Sequence, residues 1–371
     1  MIKVLHCFKT YVTESKGGIE QVIFQLAEGC SEFGIESQVF YLSKEGPQDN
    51  IPVGSHFAHT ASLDFYLAST GFSFSALKKF MTLVKTVDIV HYHFPWPYMD
   101  LLHFMARVKK PAVVSYHSDI VKQKYLLKLY EPLMHRFLGK MESIFVSSPN
   151  YVNSSPVLPR YAEKVSMIPF GLDESTYPTP EPALLDRWRK NVGPRFFLFV
   201  GALRYYKGLD FLIEAARLTQ LPLVIVGGGF MEEELRERVA SLGLTNISFL
   251  GKVMDADKNA LLTLCEAFVF PSHLRSESFG VSLLEAAMFG KPLICCEIGT
   301  GTTYINIAGE TGHVVPPADA EALADAMTQV WADPDRSAEM GRRARQRYEQ
   351  VFSIGSMVAS YAEAYHKVLG K

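Results

Sequence analysis

Two carboxylates, Glu277 and Glu285, stand with seven residues between them in RSESFGVSLLEAAMFGKP, residues 275–292. The apolar run AFVFPS ahead of them reads as a strand ending near Ser272, and a helix is expected to begin between Ser278 and Gly280. Glu277 is then a loop residue at the mouth of that helix. The amides of Gly280, Val281 and Ser282 lie in its first turn, unpaired and at the positive end of the helix dipole. Such a terminus binds anions. Glu285 follows about five residues further in, about 7.5 Å along the axis at 1.5 Å per residue. The spacing suits a ligand with a diphosphate on the amides and a ribose beside Glu285. Glu277 would meet the group on the other side of the diphosphate.

Short apolar runs that alternate with helical patterns must position this pair. IKVLHCF, SQVFYL, VDIVHYH, AVVSYH, SIFVSS and VSMIPF form one series; FFLFVGAL, LPLVIVGG, ISFLGKV, AFVFPS, KPLICCE and GHVVPP form another. Continuous apolar strands between helices indicate parallel sheets covered on both faces. Residues 171–195, with Pro178, Pro180 and Pro182 close together, read as the linker. The expectation is two doubly wound, Rossmann-like α/β domains, 1–170 and 171–350, with a ligand cleft between them. A last amphipathic helix, 351–371, is expected to pack back on the first domain.

At 371 residues the chain is long enough for two such domains, and its net charge of -2 argues against a nucleic-acid binder. Residues 1–170 carry 17 Lys and Arg against 14 Asp and Glu, the remainder 20 against 25, which fits domains facing different partners. The five cysteines show no metal-ligand spacing, and no apolar run reaches transmembrane length. A reduced, cytoplasmic setting is expected.

With these landmarks in order, the sequence resembles the retaining glycosyltransferases of the GT-B fold, in the family 4 class that carries Glu-x7-Glu. The resemblance rests on GGIE at 17–20, HSD at 117–119, VGALRYYKG at 200–208, VIVGGG at 224–229, the glutamate pair, and GHVVPPADAEALADAM at 312–327. It implies that Glu277 holds hydroxyls of the donor sugar and Glu285 the ribose. Gly17 and Gly18 would let the backbone approach the donor phosphate, Lys207 would sit on the diphosphate, and His117 would face the sugar and phosphate. Val253, Phe279, Gly280, Val281 and Ser282 complete the implied donor site, with Asp119 and Lys122 on the acceptor side. Relatives carry arginine directly after the glycine of VG; here Ala202 stands there and Arg204 follows, as the candidate to reach the diphosphate.

Within the class, EIGTGTTYIN at 297–306 and LRYYKG resemble transferases that move mannose or a related 6-deoxyhexose from a GDP-sugar. The donor implied first is GDP-mannose, with a saccharide or lipid-linked acceptor in cell-surface polysaccharide synthesis. GDP-rhamnose and UDP-sugars are the alternatives. A rival of another class is a non-catalytic sugar-nucleotide-binding module, which could dispense with Glu277, His117 and Lys207; all three are present.

No cofactor or metal is expected. Asp255-x-Asp257 precedes a helix, where either residue reads as a cap. His91 and His93 share a face of a strand end without a third ligand in the sequence pattern. VIVGGGFMEEEL is not a dinucleotide fingerprint, because Glu232 holds the place of the last glycine and the acidic run suits a helix start. Asp119 caps a helix or orients the acceptor. The basic, leucine-rich stretch 122–140 is either a solvated helix face or a contact for anionic lipid or a lipid-linked acceptor.

Overall fold

The computed structural model describes residues 1–15, 17–67, 70–120 and 124–370. The chain divides into two compact units, Met1–Leu172 with Ile354–Lys371, and Asp173–Ser353.

In the first unit the strands are β1 (Ile2–Cys7), β2 (Ile35–Ser43), β3 (Ile51–Val53), β4 (His56–Ser62), β5 (Phe65–Leu67), β6 (Thr70–Phe72), β7 (Ile89–Phe94), β8 (Ala112–Tyr116), β9 (Ser143–Val146) and β10 (Val165–Met167). Eight of them form one sheet in the order β10-β9-β8-β7-β1-β2-β4-β3. It is parallel except where β3 runs antiparallel to β4 at the edge. The central β7 and β8 are buried at every position, as strands covered on both faces must be. β3 to β6 escape a reading for apolar runs: three are only three residues long, and β4 is HFAHTAS, with polar groups at buried positions. β5 and β6 make a separate antiparallel pair with Phe65 stacked on Phe72.

The second unit holds β11 (Phe197–Val200), β12 (Leu223–Val226), β13 (Ile247–Gly251), β14 (Ala267–Phe270), β15 (Leu293–Cys296) and β16 (Gly312–Val315). Their order is β13-β12-β11-β14-β15-β16, all parallel. Numbered within the unit this is 3-2-1-4-5-6, the doubly wound arrangement whose crevice opens between the first and fourth strands, beyond their carboxyl ends. Inside residues 171–195, Pro182 occupies the first turn of the helix Pro182–Val192, where its missing N–H is no loss.

The helix expected over 351–371 begins only at Ile354, because Val351 is the last residue of the helix before it. The helix Pro334–Val351 stops at Phe352, whose φ of -121° and ψ of 18° leave the helical region. The Phe352 ring is held against Phe279 and Tyr304, and the next helix, Ile354–Val368, belongs to the first unit. There it packs on the helix Gly18–Gly29 so closely that a Cβ on Gly29 would come within 2.5 Å of Val358.

Candidate active site

β11 and β14 are neighbours with crossovers leaving in opposite directions, and the loops after them bring Lys207 and Glu277 together. Lys207 closes a 3-10 turn, Tyr205–Lys207, and Gly208 at φ +69° launches the helix Leu209–Thr219. A Cβ at Gly208 would lie 2.0 Å from the Pro271 carbonyl, so only glycine lets the two loops meet. The His273 amide donates to the Tyr206 carbonyl across this seam. Lys207 Nζ then lies 2.5 Å from Glu277 Oε2, and Ser272 Oγ donates to the same oxygen at 3.1 Å. Both charged side chains are about nine-tenths buried, and the ammonium sits 4.5 Å from the Phe270 ring centre. A buried pair of this kind keeps each charge satisfied; removing one partner strands the other. Burial, followed by the Glu277 charge, pushes the Tyr206 hydroxyl up to about 12, so it is a neutral donor.

The helix that follows is Val281–Met288, with Gly280 as its N-cap at φ +98°. A Cβ on Gly280 would meet Phe270 at 3.0 Å. Val281 and Ser282 are partly exposed in the first turn, while Phe279 is buried, its backbone 2.8 Å from where a Cβ on Gly301 would stand. Glu285 is buried inside the helix and accepts from Tyr177 Oη at 2.9 Å and Lys258 Nζ at 2.7 Å, both on Oε1. Lys258 and Tyr177 were not singled out by the sequence reading. Lys258 lies in a helix whose spacing marks no site, and Tyr177 in a proline-rich stretch. Arg204 is exposed just ahead of the Lys207 turn, and Val253 is half-buried in the loop after β13.

The reading of Asp255 and Asp257 as caps is corrected. Met254 is the N-cap of the helix Asp255–Leu264, with no side-chain cap, and the two aspartates lie inside the first turn. Asp257 is held by Arg187 and by Trp188 Nε1 at 2.9 Å. The favourable interaction with the helix dipole is retained without a capping bond.

In the first unit, Gly17 is the N-cap of the helix Gly18–Gly29 and Gly18 its exposed first residue. Glu20 in that first turn is buried and accepts from Thr10 Oγ1 at 2.6 Å. Asp119 Oδ1 accepts from Tyr116 Oη and Ser155 Oγ, each at 2.8 Å, which braces the loop after β8. Lys122 lies outside the described residues.

His117, one residue beyond β8, is buried, and its Nε2 lies 2.9 Å from His93 Nδ1. His93 Nε2 lies 3.2 Å from Nδ1 of His6, a residue on β1 that the sequence reading passed over. His6 pairs in register with His91 on β7, so a third imidazole does stand beside the His91–His93 pair. One ring nitrogen from each of the three lies within 4.8 Å of the others. The arrangement is a stack rather than a ligand set. The His91 and His93 rings are 4.4 Å apart at 24°, and both His91 nitrogens are already bonded, to Tyr365 Oη at 2.7 Å and Ser115 Oγ at 2.8 Å. Burial lowers His6 and His117 to about 3 and puts His91 and His93 well below the usual range, so all four are neutral.

Residues 181–347 match the family model for glycosyl transferases group 1, and residues 16–176 match that for glycosyltransferase family 4. D-rhamnosyltransferase WbpZ of Pseudomonas aeruginosa is 54% identical over 95% of this chain and 92% of its own. The chain belongs to the family 4 glycosyltransferases. O-antigen chain mannosyltransferase C of Escherichia coli is 47% identical over 99% of both chains. Among solved structures, sucrose-phosphate synthase from Thermosynechococcus elongatus matches with a TM-score of 0.82 at 20% identity, covering 100% of both chains. Anabaena HepE in complex with UDP and glucose matches at 0.79 and 18%, over 99% of this glycosyltransferase and 100% of that chain. These likenesses show the fold, which is GT-B. Among the described residues no helix is long and apolar enough to cross a membrane.

Proposed function

We propose that this glycosyltransferase moves a mannosyl group from GDP-mannose, with retention of configuration and without a metal, to a saccharide or lipid-linked acceptor in O-antigen synthesis. The similarity to the Escherichia coli mannosyltransferase supports the reaction class. The observation that carries the site assignment is the buried Lys207–Glu277 pair beside the start of the helix Val281–Met288. Leaving of a nucleoside diphosphate needs positive charge placed in advance. Lys207, the first-turn amides and the nearby Arg204 supply it. The engagement of Asp257 by Arg187 and Trp188 supports the metal-free reading.

In the proposed reaction Glu277 fixes hydroxyls of the sugar and Glu285 fixes the ribose. The acceptor oxygen bonds to C1 on the face that the diphosphate leaves, and its proton passes to the departing phosphate oxygen. No protein nucleophile is needed. A basic hollow of about 490 Å³, lined by Lys128, His135, Arg136 and Arg160 with Glu131, supports an anionic, lipid-linked acceptor. Leu126 and Leu129 stand exposed on the helix Lys124–Lys140, which also carries Lys128, Glu131, His135 and Arg136.

The higher identity to the Pseudomonas rhamnosyltransferase favours a second donor, GDP-D-rhamnose. That sugar lacks the 6-hydroxyl of mannose, and a site built to bond a hydroxyl rejects the analogue without it. Turnover measured with GDP-mannose, GDP-D-rhamnose and UDP-glucose, each with and without EDTA, tests the whole reading. Preference for GDP-mannose that survives EDTA is expected. Preference for GDP-D-rhamnose selects the second donor, and activity lost in EDTA but restored by Mg²⁺ rejects the metal-free mechanism.

A further inference from the structure

His117, His93 and His6 form one buried chain of imidazoles with two links, 2.9 Å and 3.2 Å long. Each ring is at most 2% exposed. Among the described residues, the two end nitrogens, His117 Nδ1 and His6 Nε2, are buried without a hydrogen-bond partner. Burial keeps the three rings neutral, and a neutral imidazole has one N–H and one bare nitrogen. Three protons must therefore serve two links and one end. If both links are made, they point the same way, and the third proton stands on one end nitrogen only. The chain has two states: N–H at His117 Nδ1, or N–H at His6 Nε2.

The two ends differ in their place in the sheet: His117 stands one residue beyond the carboxyl end of β8, the edge at which parallel sheets bind ligands, whereas His6 lies within β1. A proton on His6 Nε2 would leave a permanently orphaned buried donor, the rarer and costlier defect. A proton on His117 Nδ1 would be satisfied by an oxygen of a ligand bound at that edge. We propose that His6 and His93 are positioning residues that hold His117 as its Nδ1–H tautomer, with His6 Nδ1 donating to His93 Nε2 and His93 Nδ1 donating to His117 Nε2. His117 Nδ1–H then donates to an oxygen of the sugar nucleotide. The inference rests on the reading of His117 as a donor-site residue. Its consequence is that two residues out of reach of the ligand decide whether His117 offers a proton or a lone pair. A lone pair would repel phosphate or sugar oxygens, so a wrong tautomer disables His117 without moving it.

The test uses the full-length protein labelled with ¹⁵N-histidine, with the His117 signals identified as those missing from His117→Phe. In the wild type, Nδ1 of His117 is expected to carry the proton and Nε2 to be bare. His93→Phe keeps a ring against His91 and His117 but has no nitrogen; His117 should then lose its fixed tautomer. With GDP-mannose as probe, kcat should fall on the order of 10²-fold, as for loss of one preorganised donor, with KM nearly unchanged. His93→Asn, whose amide can donate from near the former Nδ1, should restore most of kcat and the Nδ1–H signature. A wild-type His117 protonated on Nε2 overturns the proposal, as does a His93→Phe protein with unchanged tautomer or kcat. If His93→Phe fails to fold, the wild-type and His93→Asn spectra decide. Full activity in His117→Phe instead rejects the donor-site role of His117, while the spectra still report the tautomer.

Discussion

At the scale of single residues, the two glutamates of the motif sit in different chemical settings. Glu277 is a loop carboxylate bound to Lys207 and Ser272, whereas Glu285 is a helix residue bound to Lys258 and Tyr177. A change at Glu277 disturbs the ammonium assigned to the leaving diphosphate; a change at Glu285 disturbs groups assigned to the nucleoside. Glu277→Gln is therefore expected to lower kcat on the order of 10²-fold through misplacement of the reacting groups. Glu285→Gln should raise the KM for donor with kcat largely kept, the signature of lost uniform binding. Steady-state kinetics over a full range of GDP-mannose separates the two, and equal loss of kcat in both variants would contradict the assignment. The seven-residue spacing made the pair visible in the sequence. Lys258 and Tyr177 were not, because their approach depends on how a helix and a proline-rich stretch pack, and neither leaves a local pattern.

At the scale of elements, glycines decide whether loops and helix starts can form. Gly280 holds φ +98° at the N-cap of the helix Val281–Met288, with Phe270 3.0 Å from the position of any Cβ. Gly280→Ala is expected to destabilise the protein by about 1–2 kcal/mol from the backbone alone. It should also weaken GDP binding; urea unfolding and calorimetric titration check the two effects.

The histidines across β1, β7 and the end of β8 set a second element-scale property. His6 and His117 lie at about 3 in the folded protein against 6.5 ordinarily. The unfolded chain thus binds more protons between these values, and stability falls as pH drops below about 6.5. Each such histidine contributes about 1.4 kcal/mol per pH unit. Asp100, buried beneath Tyr130, has the opposite sign: burial raises it from 3.8 to about 8, so its contribution is full at low pH and lost as pH rises through 8. Between pH 4 and 6.5 it offsets about one histidine and the histidines prevail. Above that it acts in the same direction as the buried cysteine thiols, which burial also raises. Urea unfolding from pH 4.5 to 8.5 should show a maximum near neutrality; His6→Gln should soften the acid limb and Asp100→Asn the alkaline one.

At the scale of the whole molecule, one unit is continuous in sequence and the other is not. Residues 173–353 contain all six strands of the second sheet, whereas the first unit needs Ile354–Val368 from the far end of the chain. That helix buries Met357, Val358, Tyr361 and Tyr365, and its tyrosine hydroxyls bond Ser115 and His91 inside the first unit. Removing it exposes apolar surface and strands buried polar groups. A fragment of residues 173–353 is expected to unfold cooperatively on its own. A fragment of 1–172 should aggregate or melt far below the same fragment fused to 354–371; thermal melts of the three fragments check this.

The sequence by itself determined the two parallel-sheet units, the six strands of the second one and the helix start beside Glu277. Those features are written in contiguous apolar runs and in the preferences of helix termini, which act over a few residues. It did not determine β3 to β6: three are only three residues long and β4 carries polar groups at buried positions, so sheet partners rather than a long apolar run stabilise them. The break at Phe352 also lay beyond it, because the apolar periodicity runs through while the ring is captured by Phe279 and Tyr304. His6 is the clearest case. It lies 85 positions before His91 in the chain, and only the pairing of β1 with β7 puts the two in register. From sequence, His91 and His93 were a pair without a third member. The parallel sheet supplied that member, because strand order is decided by how helices cover the sheet's two faces, which no local stretch records.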